Sequence, residues 1–143
     1  MGSIISFKCP QCGYEHEFSL GAGMADYYEH GRKWTARSIL NGNYGEDVKR
    51  ALEKNPTARI QRSDELFYCK DCKEYTSESA VELYKLKKFL WVKKWKFLIA
   101  STHTCKQCHK EIACIKAAQN IYGKVACPKC QASMERNRVG HWD

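Results

Sequence analysis

The chain has 143 residues, nine of them cysteine, and a formal net charge of +8. That length fits one domain or two very small ones, and the apolar share left once the cysteines are set aside is thin enough to need metal or disulfide support. No run of eighteen apolar residues is present and no charged-then-apolar leader opens the chain, so no membrane span and a cytoplasmic location are expected, where paired cysteines more often hold metal than form disulfides.

Met1-Gly2-Ser3-Ile4-Ile5-Ser6 fits a loose acylation pattern. Read as structure, Ser3–Lys8 is a β-prone run leading into Cys9-Pro10-Gln11-Cys12-Gly13. Two residues between cysteines let the chain turn back so that both sulfurs face one ion, and backbone N–H groups of the turn can stabilise thiolate. Gly13 suits the positive φ such a turn favours; Lys73, His109 and Gln131, which follow the other three pairs, do not.

The stretch after this knuckle is too long for a structureless loop. A helical candidate spans Met24 to Leu40, with His30-Gly31 as a break and Asn41-Gly42 as its end. A second runs from Glu46 to Lys54, where Val48, Ala51 and Leu52 form an apolar stripe, acidic residues open the first turn, and Asn55-Pro56 stops the run. These helices are expected to cap a first ribbon.

Cys69 and Cys72 lie in Leu66-Phe67-Tyr68-Cys69-Lys70-Asp71-Cys72, again flanked by β-formers. Ser79-Ala80-Val81-Glu82 resembles a capping box and favours a short helix. Trp95–Ile99 then alternates as a strand does. Six lysines (85, 87, 88, 93, 94 and 96) are interleaved here with Phe89, Trp91, Trp95 and Phe97. Lysines neutralise phosphates and aromatic faces stack on bases, so Lys87, Lys88, Trp91, Lys93, Lys94, Trp95 and Lys96 are candidate nucleic-acid contacts, joined by Arg136 and Arg138. The competing reading packs the aromatics into the core and leaves the lysines as a solvated face.

Cys105/Cys108 and Cys127/Cys130 complete four C-x-x-C pairs, and the last two are spaced C-x2-C-x18-C-x2-C, as in a four-cysteine zinc site. The expected partnership is sequential, with Cys9, Cys12, Cys69 and Cys72 in one site and Cys105, Cys108, Cys127 and Cys130 in the other, because it closes the shorter loops. Cross-braced and nested pairings remain open. Tetrahedral four-sulfur sites take iron as well as zinc. Cys114, in an apolar run, reads as a small buried hydrophobe, and the five histidines show no ligand spacing.

Charge is uneven along the chain. Residues 1–80 carry 11 Lys and Arg against 12 Asp and Glu, and residues 81–143 carry 13 against 4. Two divalent ions in four-thiolate sites bring the total to about +4, so part of the basic excess is expected to balance the metal centres. Each ion contributes about 10–16 kcal/mol of apparent binding free energy, as much as a whole domain's stability of about 5–15 kcal/mol.

The tandem knuckles resemble the zinc-ribbon class. More narrowly, KCPQCGYEHEFSLGAGM, LNGNYGEDVKRALEKNP, LFYCKDC, VACPKC and HWD resemble small uncharacterised bacterial proteins with two four-cysteine zinc ribbons. The likeness covers about half the chain. It implies a prokaryotic cytosolic protein, a ribbon fold, and binding of nucleic acid or docking of protein, with no reaction attached.

The expectation is thus an α+β protein with a first zinc ribbon over 1–80 carrying a helical insertion at about 23–60, a basic aromatic connector over 81–100, and a second ribbon over 101–143. It holds two zinc ions, has no small-molecule substrate and is no enzyme, since four thiolates leave no open coordination position. Its partner is nucleic acid or, as the alternative, a protein docked by an adaptor whose zinc sites are purely structural.

Overall fold

The computed structural model describes residues 2–115 and 124–142. Strand makes up 51% and helix 18%, in two curled antiparallel sheets that form half-barrels. The expected α+β fold of two small ribbons is therefore corrected to a mostly β protein.

The first sheet has the order β2-β1-β9-β8. Strand β1 (Gly2–Lys8) pairs on one side with β2 (Glu15–Leu20) and on the other with β9 (Ser133–Trp142), and β8 (Val125–Ala126) lies beyond β9. The β1–β9 ladder runs from Gly2 opposite Trp142 to Lys8 opposite Glu135. Gly2, the residue the acylation pattern would use, is buried in this strand, and the Trp142 indole fills the space a Cβ would need. Met1 lies outside the described residues.

The second sheet has the order β5-β4-β3-β7-β6, from β3 (Arg59–Cys69), β4 (Glu74–Phe89), β5 (Val92–Ala100), β6 (His103–Thr104) and β7 (Glu111–Cys114). The capping-box signature at Ser79–Glu82 opens no helix. Val81 and Leu83, two apart, are both 0% exposed, so the two-residue period of a strand buries what a helix would have splayed around its axis.

Helix α2 (Glu46–Lys54) falls where the sequence puts it. Helix α1 (Glu29–Leu40) follows a separate 3-10 turn over Met24–Tyr27, so the break comes at Tyr28 and the helix runs through His30-Gly31. Asn41 caps it and Gly42, at φ 87°, turns the chain away.

The chain forms two compact units, which differ from the expected three segments. Unit one comprises Met1–Met24, Ser63–Ser79 and His103–Asp143, and unit two comprises Ala25–Arg62 and Ala80–Thr102. Ile5, Phe7, Phe18, Leu20, Leu66, Val125 and Met134 form the core of unit one. Ile39, Val48, Leu52, Val81 and Leu83 form that of unit two. The helices thus bury their apolar faces against strands β4 and β5 instead of capping a ribbon.

Candidate metal centres and a basic hairpin

Each C-x-x-C pair occupies a tight turn at a strand end. The Gly13 N–H donates to the Cys9 carbonyl (3.0 Å) and the Cys9 N–H to the Tyr14 carbonyl (2.8 Å), which turns β1 back into β2. The third and fourth turns repeat the pattern: His109 N–H to the Cys105 carbonyl (2.9 Å), and Gln131 N–H to the Cys127 carbonyl (2.9 Å). In the second, the Cys72 N–H donates to the Cys69 sulfur at 3.4 Å. The residue after every second cysteine is left-handed: Gly13 at φ 72°, Lys73 at 54°, His109 at 58° and Gln131 at 65°. Only the first was legible as suited to this. The turn imposes the conformation on three residues that do not favour it.

The knuckles meet first with fourth and second with third. Cys9, Cys12, Cys127 and Cys130 form one group, and Cys69, Cys72, Cys105 and Cys108 the other, with all sulfurs of a group within 4.8 Å of one another. In the first group, Cys9 Sγ is 3.4 Å from Cys130 Sγ, and Cys12 Sγ is 3.5 Å from Cys127 Sγ. In the second, Cys69 Sγ to Cys108 Sγ is 3.5 Å and Cys72 Sγ to Cys105 Sγ is 3.7 Å. Sulfurs placed about 2.3 Å from one ion at tetrahedral angles stand about 3.8 Å apart, whereas a disulfide brings them to about 2.05 Å. Both groups fit a tetrahedral thiophilic ion such as zinc.

The sequential pairing is thereby corrected to the nested one. Nesting roughly doubles each loop to be closed, at about 0.6 kcal/mol per doubling. Against this stands the β1–β9 ladder, which carries the fully buried Ile5 and Phe7, at about 1.5–3 kcal/mol each. Strand pairing outweighs loop entropy. In the second group, polar links add to the β3–β7 pairing of Phe67 with Cys114 and Tyr68 with Ala113. Gln107 Nε2 donates to Glu74 Oε2 (2.7 Å), Lys106 Nζ meets Glu78 (2.7 Å) and Lys110 Nζ meets Asp71 (3.1 Å).

The thiols of each group are electrostatically unequal. The backbone N–H of Cys12, then that of Gln11, lowers the Cys9 thiol to about 7. Those of Cys108 and Gln107 do the same for Cys105. In contrast, the Cys108 thiol, burial and the Cys105 and Cys69 thiols push Cys72 up to about 12. Cys130 also rises to about 12, since Cys9, burial and the other two thiols overcome the pull of the Ala132 N–H. Four sulfurs this close ionise together only around a cation, which takes the place of the retained protons. No protein-family model matches the chain, and no match is found among curated proteins or solved structures.

Cys114 belongs to neither group and is half-buried on β7. Around the first group sit contacts that the sequence did not suggest. Tyr75 donates its hydroxyl to the Ala126 carbonyl (2.8 Å), and Lys129 lies 5.6 Å from the Tyr14 ring centre. Aromatic residues beside knuckles were their one visible signal.

Seven of the nine candidate nucleic-acid residues fall on the β4–β5 hairpin of unit two: Lys87 and Lys88 on β4, Trp91 at the turn, and Lys93, Lys94, Trp95 and Lys96 on β5. Arg136 and Arg138 lie on β9 in unit one, Arg136 partly buried and Arg138 bonded to His141 Nδ1 at 2.7 Å. Across the hairpin, Lys85 stands opposite Lys96, Lys87 opposite Lys94 and Lys88 opposite Lys93. Arg59, on β3, adds its guanidinium 5.9 Å from the Trp95 ring centre and was not foreseen.

The charge is segregated by unit. Unit two carries 14 Lys and Arg against 6 Asp and Glu, a net +8, and unit one carries 10 against 10. All eight cysteines of the two groups lie in unit one. Among the described residues no helix is long and apolar enough to cross a membrane.

Proposed function

We propose that the protein is a non-enzymatic nucleic-acid-binding protein in which two zinc ions are structural staples and the β4–β5 hairpin engages phosphates. The single observation that carries this is the lysine register. Like charges directly opposite on a sheet are destabilising, by roughly 0.2–1 kcal/mol a pair, and three of four successive pairs here, from Lys85–Lys96 to Lys88–Lys93, are lysine against lysine. None of these six lysines makes an ion pair among the described residues. Lysines on exposed strands also guard against edge-to-edge pairing, but that role does not require them to stand directly opposite one another, where they repel. A polyanion relieves the repulsion of all three pairs at once.

The test is a triple substitution, Lys93→Glu, Lys94→Glu and Lys96→Glu, read by electrophoretic mobility shift and by denaturation. Each glutamate then faces a lysine, so the hairpin should gain stability while nucleic-acid affinity falls by orders of magnitude and its salt dependence flattens. Retained affinity in the folded variant refutes the reading. For the metal, absorbance in the visible range separates iron from colourless zinc.

The adaptor alternative draws on Tyr27, Tyr28 and Trp34, which are 66%, 61% and 59% exposed. Exposed aromatics grouped in one segment mark protein docking. A protein recovered at fixed stoichiometry after nuclease treatment, and lost on Tyr28→Ser with Trp34→Ser, supports it; an unaccompanied protein counts against it.

A further inference from the structure

We infer that the hairpin takes single-stranded rather than duplex nucleic acid, with Trp91 stacking on an unpaired base at the tip. The inference rests on the nucleic-acid reading above and adds the substrate class. Phe89 pairs with Val92, leaving Leu90 and Trp91 as a two-residue turn. Leu90 holds φ 51°, a left-handed position that such turns normally give to glycine or asparagine. Leu90 is 84% exposed and Trp91 98%. Two large apolar side chains are thus presented to solvent at the end of a ribbon, on a backbone conformation that leucine adopts at a cost.

What covers them is decided by their chemistry and by the lysines beside them. Opposed residues share a sheet face and alternate residues share it along a strand. Lys85, Lys87, Lys94 and Lys96 therefore lie on one face of the hairpin, and Lys88 and Lys93 on the other. The second face also carries Trp95 and Phe97, which are 43% and 51% exposed. A flexible single strand can wrap both faces and the tip. Duplex DNA, with a persistence length of about 50 nm, cannot fold around a two-stranded ribbon.

A duplex can instead admit a ribbon into its major groove, with phosphates on both walls. There Leu90 and Trp91 would meet the polar edges of base pairs, covering donors and acceptors that they cannot satisfy. Unpaired bases offer π-faces, which is what tryptophan binds. Anionic lipid suits a Trp–Lys tip as well. It needs only the tip, however, and does not engage the exposed faces of Trp95 and Phe97 farther along β5.

The experiment uses the full metal-loaded chain and fluorescence anisotropy with four labelled 15-mers: oligo-dT, oligo-U, a mixed-sequence duplex, and an abasic strand of equal charge. Oligo-dT or oligo-U should bind at least tenfold more tightly than the duplex and the abasic strand, and the stronger of the two identifies DNA or RNA as the source. Trp91→Ala should weaken the preferred strand about tenfold with an unchanged salt slope, and Trp91→Phe should restore most of the loss. Abasic and base-bearing strands binding equally would overturn the stacking inference while leaving phosphate binding intact. Duplex preference would overturn the single-strand assignment alone. Binding to phosphatidylserine vesicles with no binding to any 15-mer would overturn both readings.

Discussion

Gln131→Gly should stabilise the metal-loaded protein, against the ordinary expectation that adding glycine weakens a fold. Gln131 is exposed and sits at φ 65°. An L-residue pays about 1–2 kcal/mol in this conformation. Glycine does not, but it loses about 0.5–1 kcal/mol more chain entropy on folding. The difference favours glycine by about 0.5–1 kcal/mol, and the same reasoning holds for Lys73 and His109 at φ 54° and 58°. Gly13→Ala is the converse. Nothing lies within 4 Å of the added Cβ, so its cost is conformational alone, about 1 kcal/mol. Urea denaturation at fixed zinc loading reads both, with Glu135→Gly in strand β9 as the control that should destabilise. If Gln131→Gly loses stability as Glu135→Gly does, the turn does not impose a left-handed residue and the account of the knuckles fails.

Zinc binding should release at least two protons per ion near pH 8, because Cys12 and Cys130 in one group and Cys72 and Cys108 in the other are raised above the usual thiol range. Affinity then climbs about a hundredfold per pH unit there and is lost on acidification, as calorimetry in buffers of different ionisation enthalpy can show. Leu83→Ala, at a fully buried position of the unit-two core, should cost about 2–5 kcal/mol in a urea melt.

The sequence made the eight cysteines of the two groups plain because the C-x-x-C turn is local: two residues decide it, whatever the rest of the chain does. Helix α2 was legible for the same reason. Its acidic first turn, apolar stripe and Asn55-Pro56 stop all lie within one short window. The partnership of the knuckles was not legible, since it depends on Ile5 and Phe7 meeting β9 from the opposite end of the chain, and loop entropy is too weak to oppose that. Residues 79–82 misled through a genuine local signal. A capping box contributes little beside the burial of Val81 and Leu83. The six lysines were visible, but the lysine-to-lysine register that gives them meaning needs the hairpin turn at Leu90-Trp91.

Cadmium-113 NMR tests the nested metal sites most directly. In protein loaded with two cadmium ions, through-bond correlations from each ion to cysteine β-protons assign its four ligands. One resonance should connect to Cys9, Cys12, Cys127 and Cys130, and the other to Cys69, Cys72, Cys105 and Cys108. A resonance connecting Cys9 and Cys12 to Cys69 and Cys72 would contradict the account, and with it the β1–β9 ladder as the element that brings the two ends of the chain to one ion.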